Sequence, residues 1–221
     1  MELAKHIEHT LLSPICTSSQ IEKLCAEAQQ YGFAGVCVPP FYVRHAAYLL
    51  DNSPVRVVTV AGFPMGYSAI PAKIEEIKRA VDEGVDEIDI VANICAIKDN
   101  KWAHVHNDLD SAIRATHLHG KTAKIIIEAA LLTDDEIRKV CQISVELGAN
   151  FVKTSTGING EGATLHQVQT IRQAVQGRAQ IKASGGIRSY EQALQFLQAG
   201  AERIGTSAGV AIVSHKSTAN K

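Results

Sequence analysis

The feature that most constrains the fold of this sequence is an eightfold alternation of short, mostly apolar runs with amphipathic helical segments. Apolar runs separated by helices indicate parallel strands that are covered on both faces. Eight such units predict one α/β domain over residues 1–221, a closed (β/α)8 TIM barrel, with 214–221 as a tail. The predicted strands are 7–10, 35–38, 55–61, 87–92, 122–128, 149–154, 179–183 and 203–206.

An open, doubly wound sheet is the competing arrangement of the same units. The pattern GxGxxG is absent after the first strand, and GxxxxGK[ST] is absent throughout. Both absences argue against a binding site for a dinucleotide or a nucleoside triphosphate.

Composition and charge narrow the functional classes further. A formal net charge of −1 gives no basic footprint for nucleic acid, and no apolar run approaches the roughly 18 residues that span a bilayer. Glu2, Lys5 and His6 follow Met1, where a secretory signal would have an apolar core. The five cysteines form no CxxC pair, which argues against disulfides and thiolate metal sites. We therefore expect a cytoplasmic protein without a metal, nucleic-acid or membrane partner.

Two lysines, Lys153 and Lys182, are isolated cations within strand-like runs that end in small-residue turns. Burying an unpaired ammonium is costly, so a strand interior rarely carries one without a function. Strands alternate their side chains between two faces, and apolar neighbours place both lysines, together with Asp89 of strand four, inside the barrel. Because strands six and seven are neighbours, about 4.8 Å apart, the two ammonium groups are expected to meet.

Two amines at close quarters favour the loss of one proton. Free lysine has a pKa near 10.4, so only a few molecules in ~10⁴ are neutral at pH 7. A like charge about 5 Å away contributes about 3 kcal/mol at an effective dielectric constant of ~20, and desolvation adds to it. Together these effects can lower one lysine pKa by about three units, which makes that amine a nucleophile for carbonyl groups.

The residue pattern alone leaves two questions open. The first is which lysine is the nucleophile, since the pattern favours Lys153 over Lys182 only slightly. The second is whether the site is catalytic at all, since both lysines and Asp89 could neutralise one another in a buried ion network. Lys124 is on the same face of predicted strand five as Glu128 but begins that strand, so we expect it to be structural and to lie toward the other end of the barrel.

Glycine-rich turns follow strands seven and eight, at Ser184–Gly186 and at 205–209. Barrels often hold a phosphate at these two loops, where the first N–H groups of the next helix favour an anion. Arg188 follows the first turn, and Thr156 contributes a hydroxyl at the rim of strand six. The alternative is that the glycines serve only tight strand-to-helix turns.

Five motifs in order, from about residue 6 to about residue 213, resemble the deoxyribose-phosphate aldolases, a family of class I, Schiff-base enzymes. The motifs are His9-Thr10-Leu11-Leu12, Gly62-Phe63-Pro64-Met65-Gly66, Glu87-Ile88-Asp89-Ile90-Val91 with Asn93, Lys153-Thr154-Ser155-Thr156-Gly157 and Lys182-Ala183-Ser184-Gly185-Gly186-Ile187-Arg188. The resemblance implies a TIM barrel that needs no cofactor and reversibly cleaves 2-deoxy-D-ribose 5-phosphate to acetaldehyde and D-glyceraldehyde 3-phosphate, in deoxyribonucleotide catabolism.

The resemblance also implies roles for individual residues. The Schiff-base lysine falls on Lys153, the lysine that perturbs it on Lys182, and the proton-transferring aspartate on Asp89. Phosphate contacts fall on Gly185, Gly186 and Ser207. Thr156, Arg188 and Thr10 complete the predicted substrate-binding set.

Several positions depart from the family pattern. Glu8 stands where the family usually has aspartate, Pro39 where it often has asparagine, Ala129 where threonine is common, and Ile158 where some members have lysine. The tail lacks the tyrosine with which some members end, so it is given no role. A phosphate-binding isomerase or epimerase, and a sugar-phosphate binding protein without turnover, remain the alternatives. The sequence leaves the oligomeric state open, with a homodimer as one expectation.

Overall fold

The eight predicted strands form a closed barrel in a computed structural model that describes residues 3–215. Each strand pairs in parallel with the next, and the last pairs with the first. The doubly wound alternative is therefore wrong. The strands are β1 Ile7–Thr10, β2 Gly35–Cys37, β3 Arg56–Ala61, β4 Glu87–Val91, β5 Thr122–Ile126, β6 Phe151–Lys153, β7 Gln180–Ser184 and β8 Arg203–Thr206. From residue 216 onward, the predicted tail lies outside the described residues.

Helices cover the outside of the barrel. They are α1 Ser18–Tyr31, α2 Val43–Leu49, α3 Ile70–Asp82, α4 Ile94–Lys98, α5 Trp102–His117, α6 Asp134–Glu146, α7 Leu165–Val175, α8 Tyr190–Ala199 and α9 Gly209–His215. Reciprocal side-chain caps at Thr133, Thr164 and Ser189 start α6, α7 and α8. Within the described part of the chain, no helix combines the length and apolar character needed to cross a bilayer.

The structure differs from the predicted elements mainly where strands end. β5 stops at Ile126 rather than at residue 128, because Glu128 adopts a left-handed conformation with φ of 49° and a short 3₁₀ turn, Ala129–Leu131, follows. Helix α4 was not predicted, since five residues are too few to show a helical period. Its start is nevertheless local chemistry, because Asn93 accepts a hydrogen bond from the N–H of Ala96 at 3.0 Å.

The apolar core lies between the sheet and the helices, and the barrel interior is largely polar. Ile88, Ile90, Val152 and Ile181 face the helices and are buried. Inside the barrel, Cys37 packs in a small apolar cluster with Val58 and Val60, and burial raises the pKa of its thiol to about 11. Cys37 thus faces inward and packs as a small hydrophobic residue.

A buried ion pair ties two helices to the sheet at the end of β4. Lys73 of α3 donates to Asp108 of α5 at 2.7 Å and to the backbone oxygen of Val91 at 2.9 Å. Burial raises the pKa of Asp108, and the neighbouring ammonium opposes that rise. Lys73 therefore stabilises the Asp108 carboxylate, which would be costly to bury without a cation beside it.

We expect Lys73→Met to lower the free energy of unfolding by about 3–5 kcal/mol, because it leaves Asp108 buried without its cation. Urea denaturation measures the change. Lys78→Met is the matched control on the same helix, since Lys78 pairs with Glu75 on the surface, and it should cost less than about 0.5 kcal/mol. Equal effects of the two substitutions would contradict a structural role for the buried pair.

Candidate active site

Three predicted side chains meet inside the barrel at one carboxylate oxygen. Lys153 and Lys182 are direct partners in the register of β6 and β7. Each donates to Oδ2 of Asp89, and both N–O distances are 2.7 Å. The two amine nitrogens are therefore separated by at most twice that distance. This is close enough for direct electrostatic coupling.

Strand alternation explains how the chain delivers these groups. In β4, Ile88 and Ile90 face the helix layer, so Glu87 and Asp89 must face inward. The same rule turns Lys153 inward between its neighbours on β6, and Lys182 between Ile181 and Ala183 on β7. The local sequence thus fixes which face each charged group takes.

A second tier of charged groups lies beneath Asp89. Lys124 Nζ contacts Glu87 at 2.5 Å, Glu8 at 3.0 Å and Asp89 at 3.1 Å. Arg203 contacts Glu8 at 2.8 Å and Glu87 at 3.3 Å. Lys124 does not begin its strand as predicted, because it is the middle residue of β5 and the register partner of Asp89. It belongs to the same network and does not lie apart at the other end of the barrel.

Glu8 holds the centre of this network. Its carboxylate accepts hydrogen bonds from Lys182 and from Arg203, and it pairs with Lys124. The glutamate at this position, one methylene longer than the aspartate usual in the family, thus bridges β1 to three other strands. Ala129, another departure, is buried, whereas Ile158 is exposed at the cavity wall.

The network has strong and specific effects on acidity. Burial alone would raise the pKa of Asp89, but Lys124, Lys153 and Lys182 hold it well below the usual range. Burial likewise opposes ionisation of Glu8, yet Lys124 and Lys182 lower its pKa to about 2. Burial disfavours a charged Lys182, but Asp89 and Glu8 outweigh it and raise the pKa of Lys182. Lys182 is therefore held as a cation.

The strands of the barrel carry one more buried basic group than acidic groups. Among the described residues, these groups are the cations Lys124, Lys153, Lys182 and Arg203 and the anions Glu8, Glu87 and Asp89, and Glu128, past the end of β5, is a further buried carboxylate. Arg56 also contacts Glu87, but its side chain is 54% exposed and its charge is screened by water. Three of the four interior basic groups can be balanced as ion pairs.

A cavity of about 350 Å³ opens above Lys153, at the carboxyl-terminal end of the strands. Its lining includes every predicted site residue except Asp89 and Lys182, which are buried below it. Gly185, Gly186, Arg188 and Ser207 lie on the wall formed by the loops after β7 and β8, and Thr10 and Thr156 lie on the sides. The cavity thus connects an amine to a glycine-rich wall, as barrel enzymes that bind phosphates require.

The glycine wall has the geometry that an anion-binding turn needs. Gly185 and Gly186 have φ values of 89° and 77°, which favour residues without a Cβ. Successive backbone N–H groups in such turns can converge on an anion. In the described chain, no cluster of three or more His, Cys, Asp or Glu side chains is placed to hold a metal ion.

Sequence reasoning missed three members of the charged network and one group near the rim. Glu87 shares the parity of Asp89, so alternation could have placed it inside; Arg203 begins β8, and Glu8 was noted only as a departure from the family pattern. Glu128, only 1% exposed, binds the loop after β6. The sequence did not indicate this role for Glu128, because its left-handed backbone conformation cannot be predicted from the local residue pattern.

We expect Glu8→Gln to flatten the dependence of stability on pH between about pH 4.5 and pH 2. In this window the unfolded carboxyl binds a proton that the folded one does not, since its folded pKa is about 2 against an ordinary 4.5. The free energy of unfolding of the natural chain should therefore fall with falling pH, and the slope should decrease in the variant by about one proton, or ~1.4 kcal/mol per pH unit.

Urea denaturation at a series of pH values measures this slope. Glu146→Gln, on the surface of α6, is the control and should leave the slope unchanged. An identical slope in Glu8→Gln would show that Glu8 is not held ionised by its neighbours.

Comparison with known proteins agrees with this geometry. Residues 4–215 match the model of the DeoC/LacD family of aldolases. Deoxyribose-phosphate aldolase of Staphylococcus carnosus is 47% identical over 96% of both chains, and that of Streptococcus suis is 49% identical over 97% of this chain and 96% of its own. The tetrameric deoxyribose phosphate aldolase of Aeropyrum pernix superposes with a TM-score of 0.91 at 30% identity, covering 98% of this chain and 92% of the other. The chain therefore belongs to the DeoC/LacD family of aldolases.

Proposed function

We propose that this aldolase reversibly cleaves 2-deoxy-D-ribose 5-phosphate to acetaldehyde and D-glyceraldehyde 3-phosphate through a Schiff base on Lys153. One observation carries the proposal: Lys153 is the amine that lines the cavity, and it shares the single carboxylate of Asp89 with Lys182 and Lys124. The names of the similar proteins support the same substrate.

The charge balance favours Lys153 as the amine that can be neutral. Lys124 contacts three carboxylates, and Lys182 and Arg203 each contact two, whereas Lys153 pairs with Asp89, which it shares with both other lysines. If the other three basic groups stay charged, they balance the three carboxylates. Loss of a proton from Lys153 then leaves the charged groups of the strands balanced, which a low-dielectric site favours.

Covalent chemistry begins when neutral Lys153 Nζ adds to the C1 aldehyde of the open-chain sugar. Asp89 Oδ2, 2.7 Å from Nζ, is within reach of the proton that the nitrogen loses. Lys182, 2.7 Å from the same oxygen, can supply a proton to the leaving hydroxyl. Loss of water gives an iminium ion between C1 and Nζ.

Cleavage follows because the iminium accepts electrons. The C3 hydroxyl gives up its proton through a bound water to Asp89, the C2–C3 bond breaks, and D-glyceraldehyde 3-phosphate forms. The bond electrons give an enamine on Lys153, which is then protonated at C2. Water hydrolyses the resulting iminium and releases acetaldehyde, so the water lost earlier is regained and the amine is restored.

The far end of the cavity fixes the substrate for this chemistry. A phosphate at Gly185, Gly186 and Ser207 would find backbone donors, with Arg188 at the same wall and Thr10 at the side. Anchoring the phosphate there holds the aldehyde carbon near Lys153 and removes much of the entropic cost of the encounter.

The cellular setting follows from the same resemblance. We place the enzyme in the cytoplasm, in the breakdown of deoxyribonucleotides, with a sugar phosphate as its small-molecule partner. The Aeropyrum pernix relative is tetrameric, and we expect this chain to self-associate as well, at least as a dimer.

A coupled assay that follows glyceraldehyde 3-phosphate release from deoxyribose 5-phosphate should show turnover, because the amine and the phosphate wall share one cavity. Borohydride added with acetaldehyde should reduce the iminium and leave an ethyl group on Lys153, detected by peptide mass spectrometry. Lys153→Met should lower kcat by at least about a thousandfold and carry no label.

Lys73, buried but outside the cavity, is the internal control and should remain unlabelled. Normal turnover with an unlabelled Lys153 would contradict the covalent route and favour acid–base isomerisation or epimerisation. Binding of deoxyribose 5-phosphate without release of product would instead select a sugar-phosphate binding protein.

Lys182→Leu should cut kcat/KM at pH 7 by about 10²–10⁴-fold and move the acid limb of the pH–rate profile to higher pH. The reason is that removal of the neighbouring cation leaves Asp89 free to stabilise a protonated Lys153. Lys182→Arg keeps the charge and should retain the position of the acid limb. An unchanged pH profile in Lys182→Leu would remove Lys182 from the mechanism.

A further inference from the structure

Residues 156–162, here called the strap, cross the mouth of the barrel between β6 and α7. Gly157 and Ile158 of the strap line the cavity, and Thr156 lies at its start. The strap touches three other loops of the mouth. Its position therefore determines the shape of the cavity wall opposite Lys153.

Glu128 anchors the first residue of the strap. Its carboxylate accepts a hydrogen bond from the N–H of Thr156 at 3.1 Å and another from the Thr156 hydroxyl. Glu128 is only 1% exposed, and its backbone has a φ of 49°, which is uncommon for a residue with a side chain. A buried carboxylate on a strained backbone persists only where the surrounding contacts hold it.

The hydroxyl of Thr156 is fully committed to this anchor. It donates to Glu128 and accepts from the N–H groups of Ile158 at 3.1 Å and Asn159 at 3.3 Å. A threonine hydroxyl has one donor and two lone pairs, so these three bonds leave none for a substrate. Thr156, placed in the substrate-binding set by sequence, thus acts on the substrate through the strap that it folds.

The other end of the strap sets the glycine wall. Gly162 packs so closely on Gly185 that a Cβ at Gly162 would lie 2.1 Å from the Gly185 backbone oxygen. The N–H of Ala163 donates to Ser184 O at 3.0 Å. On the opposite side, Asn159 Nδ2 donates to Pro64 O at 2.9 Å. The strap therefore connects the end of β5 to the turn after β7.

We propose that Glu128 is a positioning residue that sets the affinity of the site for the phosphorylated end of its ligand, acting through the strap on Gly185. The proposal rests on the proposed function for the identity of the ligand. Its physical basis is that the two ends of the strap, Thr156 and Gly162, are joined only by loop residues. Fixed hydrogen bonds remove conformational freedom from this loop that ligand binding would otherwise have to remove. Glu128 has no part in bond making at Lys153.

Steady-state kinetics of Glu128→Leu test whether Glu128 affects binding of the phosphorylated end without affecting bond making at Lys153. The variant removes the acceptor for both Thr156 donors and should raise KM for deoxyribose 5-phosphate by about tenfold or more, with kcat within about threefold. Labelling of Lys153 by acetaldehyde and borohydride should be unchanged, because acetaldehyde does not reach the strap. Glu128→Gln keeps one acceptor oxygen and should recover part of the KM.

Glu202→Leu is the matched control at the opposite end of the barrel. Glu202 also accepts a backbone N–H, that of Ile181 at 2.7 Å, so its loss should cost stability without changing KM. An unchanged KM in Glu128→Leu, or the same rise in KM in Glu202→Leu, would overturn the proposal. Loss of acetaldehyde labelling in Glu128→Leu would also overturn it, since Glu128 would then act on the amine.

Binding of glycerol 3-phosphate, measured by titration calorimetry, separates this proposal from the proposed function. The probe has no carbonyl group and cannot form a Schiff base, so its affinity reports only the phosphate end. Glu128→Leu should weaken it by about tenfold relative to the natural chain, whether or not the chain cleaves deoxyribose 5-phosphate. Equal affinities would overturn the role of Glu128, while the test of the aldolase reaction would stand unaffected.

Discussion

Burial of charge inside a closed sheet is the constraint on which the rest of this structure depends. In the part of the chain that the structure describes, seven charged side chains on the strands face the barrel interior, where none can be left without a partner at acceptable cost. Asp89 and Glu8 provide these partners, because each carboxylate forms ion pairs with several basic groups. The strands nevertheless carry one basic group more than their carboxylates can balance. In the proposed mechanism this excess is relieved at Lys153, the amine next to the cavity.

The same network explains a division of labour along the barrel axis. The lower tier consists of ion pairs that Glu87 forms with Lys124 and Arg203. Their charges contribute to the electrostatic potential at the upper tier. At the upper tier, Asp89 faces both Lys153 and Lys182. Above them the loops provide a cavity whose wall combines the backbone of the glycine turn with Arg188. The charged network and the glycine wall are therefore held by different elements, the former by strands and the latter by loops.

Much of the charged centre could be predicted from local pattern. The inward orientation of Lys153, Lys182 and Asp89 follows from their apolar neighbours, and the pairing of β6 with β7 follows from the order of units in a barrel. The extent of the network could not be predicted in this way. Lys124 is the middle residue of β5 and the register partner of Asp89, so the pairing of β4 with β5 brings its ammonium to that carboxylate. Alternation predicts the face of a strand, but it does not tell which residues of neighbouring strands lie side by side.

The mouth of the barrel depends still more on tertiary structure. The glycines of the turn after β7 could be recognised, but the bonds from Glu128 to Thr156 join positions 28 residues apart and require a backbone conformation with no local signature.

The sequence by itself determined the barrel, the direction of its charged residues and the family to which it is similar, because strand periodicity and motif order are local properties. Only the tertiary structure decided which charges share a carboxylate and which hydroxyl is already bonded. Glu8 and Lys182 lie 174 residues apart in the chain. Contacts between such distant positions depend on closure of the sheet and on side-chain reach, neither of which is encoded in any short segment.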